Sequence, residues 1–102
     1  MTATFTILAG ILGFLGVELG AFGAHALSAR FADQPKLEAS FKTGAQYHIY
    51  HALALFGVAW ASSQWDSGLL VIAGWLFALG IVLFSGSLYA LALTGNRKLG
   101  AI

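Results

Sequence analysis

Only a few side chains in this chain have types that could do chemistry, and all of them sit in apolar surroundings. They are Glu18, His25, His48, His51, Ser85, Ser87 and Tyr89. Glu18 is the most informative. A carboxylate deep in hydrocarbon costs an apparent ~2.5–3.5 kcal/mol, so it has to be protonated, partnered or facing a wet cavity. His48 and His51 are three residues apart and share one helical face, flanked by Tyr47 and Tyr50. His-x-x-His with a carboxylate is a possible metal set, and the same groups could hold a haem or a quinone headgroup. Glu18 could instead titrate and pass protons or solute. The preferred reading is structural: the polar groups satisfy one another across helices and fix their register, each bond contributing ~0.5–2 kcal/mol. Nothing suggests an enzyme. There is no cysteine, no phosphate-binding loop and no nucleophile–base–orienter set.

Depth separates these candidates. At about 1.5 Å per helical residue, Glu18 lies ~13 Å from the nearer boundary, Ser85 ~12 Å, Ser87 ~9 Å, and His51 and Tyr89 ~6 Å. His25 and His48 lie within ~3 Å of that boundary. Ser85 is therefore the expected partner of Glu18. Glu18 is ~10 Å deeper than His25 on one helix, too far for one small ion to bind both. Hydrogen bonding without a metal or other cofactor is expected, with His25, His48, His51 and Glu18 as the only candidate ligands.

These residues need elements to hold them, and composition says which. The 102 residues are 59% hydrophobic and 9% charged, against ~25% charged in a typical soluble domain. So small a soluble domain could not bury that much apolar surface, which points to lipid as the solvent. A net charge of +1 leaves no basic stripe for nucleic acid. The expected fold is all-α, a single polytopic membrane helix bundle with three readable spans, over residues 4–27, 47–63 and 68–93. A fourth begins at Leu99. The first span is not a cleavable signal peptide, because it lacks a basic start, is too long and contains Glu18. Residues 28–42 hold most of the charge and read either as an ordinary solvated loop or as a short amphipathic helix at the membrane surface. Pro35 suits its first turn, with Asp33 or Gln34 as cap. Glu38 and Lys42 are spaced as a surface ion pair, opposite Leu37, Phe41 and Ala45. Ser62 to Asp66 forms a polar turn, with Trp65 as an interfacial anchor.

All five Lys and Arg residues follow the first or third span. That asymmetry places residues 28–46 and 94–98 in the cytoplasm and the N-terminus outside, in a bacterial inner membrane. Gly10, Gly13, Gly16, Gly20 and Gly23 form one stripe on the first span, and Gly16 and Gly20 make a GxxxG pair. Such a stripe packs a neighbouring helix of the same chain or a second copy. Glu18 points away from it, so the first span has two faces that both need protein neighbours.

The motifs also follow one another in a recognisable order. Gly20-Ala21-Phe22-Gly23-Ala24-His25-Ala26-Leu27 is followed by Tyr47-His48-Ile49-Tyr50-His51-Ala52-Leu53-Ala54-Leu55. Then come Leu83-Phe84-Ser85-Gly86-Ser87-Leu88-Tyr89, Leu93-Thr94-Gly95 and Leu99-Gly100-Ala101-Ile102. Together they resemble the small bacterial membrane-protein family catalogued as domain of unknown function 423, related to the eukaryotic transmembrane protein 256 group. The resemblance covers essentially the whole chain. It implies a four-helix membrane protein with no assigned catalytic residues. In the family pattern a Thr-Pro-x-Gly-Gly stretch and a fourth span follow the Leu-Gly-x-Ile segment, and many bacterial members have glutamine where this chain has His48. The expected role is a structural or accessory subunit of a larger inner-membrane complex, with lipid and a membrane-protein partner or a second copy as neighbours. The alternative is a protein that binds a cofactor or handles protons at Glu18 and the histidines.

Overall fold

A computed structural model of the chain describes residues 1–96 and 98. It is an all-α membrane helix bundle. α1 spans Thr2–His25, α2 is a single turn at Ser28–Phe31, and α3 runs Pro35–Gln64. α4 covers Gly68–Gly80 and α5 covers Gly86–Thr94. A π turn at Ile81–Ser85 joins α4 to α5 as one continuous rod. The expected start of a further span at Leu99 lies outside the described residues.

Two boundaries differ from those read in the sequence. α1 begins and ends slightly earlier than residues 4–27, because its last turn closes at His25 and the chain then bends through Ala26 and Leu27. More consequentially, the amphipathic stretch and the second span are one helix. Pro35 occupies its first turn, with Gln34 at the N-cap position. Nothing between there and Gln64 breaks the backbone: polarity changes near residue 46, but a polarity change is not a helix stop. Its thirty residues extend ~45 Å, longer than a ~30 Å hydrocarbon core.

α1 and the α4–α5 rod are each long and apolar enough to cross a membrane. α3 is more polar, yet it is the central helix, packed against α1 on one side and the rod on the other. Its buried residues Phe41, Gly44, Ala45, His48, Ala52, Leu55, Val58 and Ala59 recur at helical spacing, and half of them are Gly or Ala. Small residues let membrane helices approach closely. The result is a flat molecule, 50 × 26 × 13 Å, about one helix thick.

The core has two parts. Phe5, Ala9, Leu55, Val58 and Ala59 form one cluster towards the N-terminal end of α1. Phe31, Phe41 and Ala92 form the other, at the opposite end. At each, an aromatic ring fills the space a glycine leaves: a Cβ on Gly74 would overlap the Phe5 ring, and one on Gly23 would overlap the Phe41 ring. At the basic end, the Arg30 guanidinium donates to the Leu93 carbonyl. It thereby caps one carbonyl at the end of α5, where a cation is favoured. Gly95 ends the rod at φ 76°, its N–H donating to the Leu91 carbonyl at 2.7 Å. This left-handed position suits glycine because it has no Cβ.

Candidate functional site

Between the two apolar clusters lies a polar layer built on His48. The α3 stripe aims this side chain at α1, leaving it only 3% exposed. Its Nε2 lies 2.7 Å from the Leu12 carbonyl oxygen and its Nδ1 2.9 Å from the Tyr89 hydroxyl. A carbonyl can only accept, so Nε2 carries the hydrogen. The neutral ring then accepts at Nδ1 from the Tyr89 O–H. One side chain thus ties together α1, α3 and α5.

Two glycines make the arrangement possible. A Cβ on Gly16 would stand 3.1 and 3.3 Å from His48 ring carbons and 3.0 Å from Ile49. Gly16 therefore leaves the gap through which the imidazole reaches the backbone of α1. A Cβ on Gly44 would lie 3.1 Å from the Tyr89 ring, so Gly44 performs the same service on α3. Tyr89 is further held against Phe41, with ring centroids 5.1 Å apart. Of the rest of the glycine stripe, Gly23 packs against the Phe41 ring of α3, Gly13 and Gly20 face α3 less tightly, and Gly10, expected in the same stripe, meets nothing within 4 Å. Gly13 and Gly20 would place a Cβ at an ordinary 3.9 and 3.8 Å from Ala52 and Ala45.

The other candidates do not join this layer. His51 bonds within its own helix, Nδ1–H donating to the Tyr47 carbonyl at 2.7 Å, and its ring packs edge-on against Phe77. The two histidines therefore carry their hydrogens on different nitrogens. The His25 side chain is exposed at the end of α1, and its carbonyl accepts from the Ser28 hydroxyl. Ser87 donates to the Leu83 carbonyl on its own helix. Ser85 is 1% exposed at the end of the π turn, and its hydroxyl has no partner among the described residues.

Glu18 does not meet Ser85. It is exposed, on the side of α1 turned about 200° from Gly16, which faces α3. Among the described residues nothing hydrogen-bonds to or pairs with its side chain. Depth matching brought the two residues to one level, but depth says nothing about direction around the helix axis. Nor do any three His, Asp or Glu side chains among the described residues converge on a common point. His48 has both ring nitrogens engaged, which leaves it no lone pair for a metal.

The widest cleft, about 780 Å³, lies at the start of α3 and is lined by Asp33, Gln34 and Lys36 beside Leu37 and Leu91, and two others are mostly apolar. One of about 220 Å³ lies between α1, α2 and α3, floored by Gly20, Gly23, Phe31 and Phe41. The Lys42–Glu38 ion pair, 2.8 Å long, stands at its edge. A groove of about 400 Å³ between α1 and α4 is lined by Leu8, Leu12, Trp75, Ala78, Leu79 and Val82. Neither cleft places a nucleophile beside a base.

Two of these contacts have no signature in residue type or spacing. The Leu12 carbonyl is backbone and carries no residue signature. Its only trace was a glycine, Gly16, one turn further along α1 on the stripe. The Arg30 cap could have been sought from the basic loop and the end of the third span, which lie on the same side of the molecule.

Comparison with known proteins agrees with this architecture. The family model described as "Protein of unknown function (DUF423)" matches residues 19–102. The UPF0382 membrane protein YwdK of Bacillus subtilis is 50% identical over 99 residues, covering 96% of this chain and 79% of that protein. The UPF0382 membrane protein SH2409 of Staphylococcus haemolyticus is 42% identical, covering 96% and 78%. The UPF0382 inner membrane protein YgdD of Escherichia coli K12 is 44% identical, covering 95% and 73%. No solved structure matches the chain.

Proposed function

We propose that this chain, which belongs to the DUF423 family of membrane proteins, is a structural or accessory component of a larger inner-membrane assembly. The outer face of α1 is its contact. One observation carries the reading: Glu18 lies on that face, exposed and without a partner among the described residues. A carboxylate left against lipid costs ~2.5–3.5 kcal/mol on insertion scales, and a protein neighbour removes that cost. The polar groups that do pair, His48 and Tyr89, serve the chain's own packing. Reading Glu18 and the histidines as one cofactor or proton site would need them to converge, and Glu18 projects away from His48.

The chain crosses with its N-terminus outside, so that residues 28–46 and 94–98, with every Lys and Arg, stay cytoplasmic. Thiol labelling of Ser28→Cys, Ser63→Cys and Asn96→Cys should modify the first and last from the cytoplasm and the second from outside. Labelling of all three from one side would overturn the orientation.

The accessory role is tested by extraction in mild detergent, with native electrophoresis, an absorption spectrum and metal analysis. The chain should migrate in an assembly far above its 10.7 kDa, and Glu18→Leu should release it. A chain that runs alone, or one that carries a stoichiometric chromophore or metal, would count against the reading.

A further inference from the structure

The slot between α1, α2 and α3 is opened by small residues, Gly20, Gly23 and Ala24 on α1 and Ala45 on α3, and walled by the Phe31 and Phe41 rings. Its volume is about 220 Å³. A helix is ~10–12 Å across with its side chains, so even one turn takes more space than that. The body of a neighbouring helix therefore cannot enter, whereas a thin flexible chain can. Water is no better a filler, because a space lined by apolar groups stays dry. Left unfilled, the lining would forfeit its dispersion contacts on one side. At the edge of the slot stand Lys42 and Glu38, paired at 2.8 Å, with 69% and 39% of their side chains exposed. An apolar slot beneath a charged pair has the outline of an amphiphile, with its chain inward and its head at the rim.

We infer that the slot holds an acyl chain of a phospholipid whose headgroup carries both a phosphate and a primary ammonium, the phosphate on Lys42 and the ammonium on Glu38. In a membrane bundle, phospholipid is the amphiphile always at hand. The slot faces α3 and not the side of α1 that bears Glu18, so the inference is independent of what covers that side. Exposed ion pairs are weak, which leaves Lys42 and Glu38 free to part. A headgroup with both charges exchanges their single contact for two of the same kind. A headgroup with a phosphate and no cation reaches Lys42 only by setting a like charge beside Glu38. Lipid tails are as apolar as the slot, so the chain contributes by packing and the headgroup decides which lipid stays.

The test is to reconstitute the chain in vesicles of equal parts phosphatidylethanolamine and phosphatidylglycerol, re-extract it in mild detergent and weigh the bound lipid by native mass spectrometry. Phosphatidylethanolamine should be retained over phosphatidylglycerol about fivefold, the upper end for an exposed ion pair. Ala24→Leu grows a side chain into the slot from an exposed position and should abolish retention of both. Phe22→Leu, exposed and half a turn away on the same helix, should match wild type. Glu38→Gln leaves the slot open and should keep the lipid while losing the preference. Equal retention of the two lipids by wild type would overturn the inference. So would a preference that survives Glu38→Gln, or retention by Ala24→Leu equal to that by Phe22→Leu.

Discussion

His48 and Glu18 are both polar side chains set among apolar residues, and the fold treats them in opposite ways. His48 sits in the seam between α1 and α3, with both nitrogens bonded and a glycine cleared in front of it. Glu18 sits on the far side of α1 with no group of its own chain in reach. A polar residue in a seam stabilises the chain that contains it, whereas one on an outer face contributes only when another chain arrives. The two should therefore respond to different measurements, His48 through the stability of the isolated chain and Glu18 through association.

The largest effect should come from filling the seam. In Gly23→Leu the new side chain meets the Phe41 ring, and Gly16→Leu meets His48 and Ile49. Overpacking of this kind costs ~1–3 kcal/mol or more. Both variants should lower the melting temperature in detergent sharply and reduce yield. Tolerance of Gly16→Leu would mean that α1 does not pack on α3 as described, and the contrast with Glu18 would lose its basis.

His48→Leu is next. It leaves the half-buried Tyr89 hydroxyl without its acceptor, at a cost of up to ~1–3 kcal/mol. His48→Gln should recover most of this, because its amide can donate to the Leu12 carbonyl and accept from Tyr89. Thermal melts of the pair check the point, and equal loss in both would show that ring packing outweighs the hydrogen bonds. Tyr89→Phe should fall between wild type and His48→Leu, since the imidazole keeps its Leu12 bond.

Glu18→Leu should have a smaller effect on the melting temperature of the isolated chain, within the ~0.5 kcal/mol typical of surface positions. Any change should be upward. A drop comparable to that of His48→Leu would place Glu18 in the chain's own packing and dissolve the comparison.

These residues also show what could be read from the sequence. α1 and the α4–α5 rod were legible as helices long and apolar enough to cross a membrane because the requirement for a long apolar run is severe. The glycine stripe, and the direction of Glu18 away from it, followed from helical angle alone. The continuity of α3 did not, because an amphipathic turn and an apolar turn share one backbone conformation, and Gly44 near the junction packs against Tyr89 without ending the helix. Nor did the π turn, which leaves no mark in residue type beyond Gly80 and Gly86 on either side of it. The His48 contacts were half legible. Tyr89 was among the candidate partners, but the Leu12 carbonyl, which joins α1 to the layer, is common to every residue type.

The smallest effect sharpens the comparison from inside the stripe itself. Sequence spacing treats Gly13, Gly16, Gly20 and Gly23 as equivalent, and Gly16 with Gly20 as the close-packed pair. The geometry divides them differently. A methyl group at 13 or 20 would sit 3.9 or 3.8 Å from an alanine methyl, which is ordinary van der Waals contact rather than overlap. Gly13→Ala and Gly20→Ala should therefore stay within ~0.5 kcal/mol of wild type, the added contact and better helix propensity offsetting small shifts. Gly23→Ala should cost more, since even one methyl group overlaps the Phe41 ring. A melting series over the four alanine variants gives the order directly, with 13 and 20 near wild type, 16 lower and 23 lowest. If Gly20→Ala fell with Gly16→Ala instead, the GxxxG spacing itself would be setting the approach of the helices, and the fit of His48 against Gly16 would be a consequence of that approach.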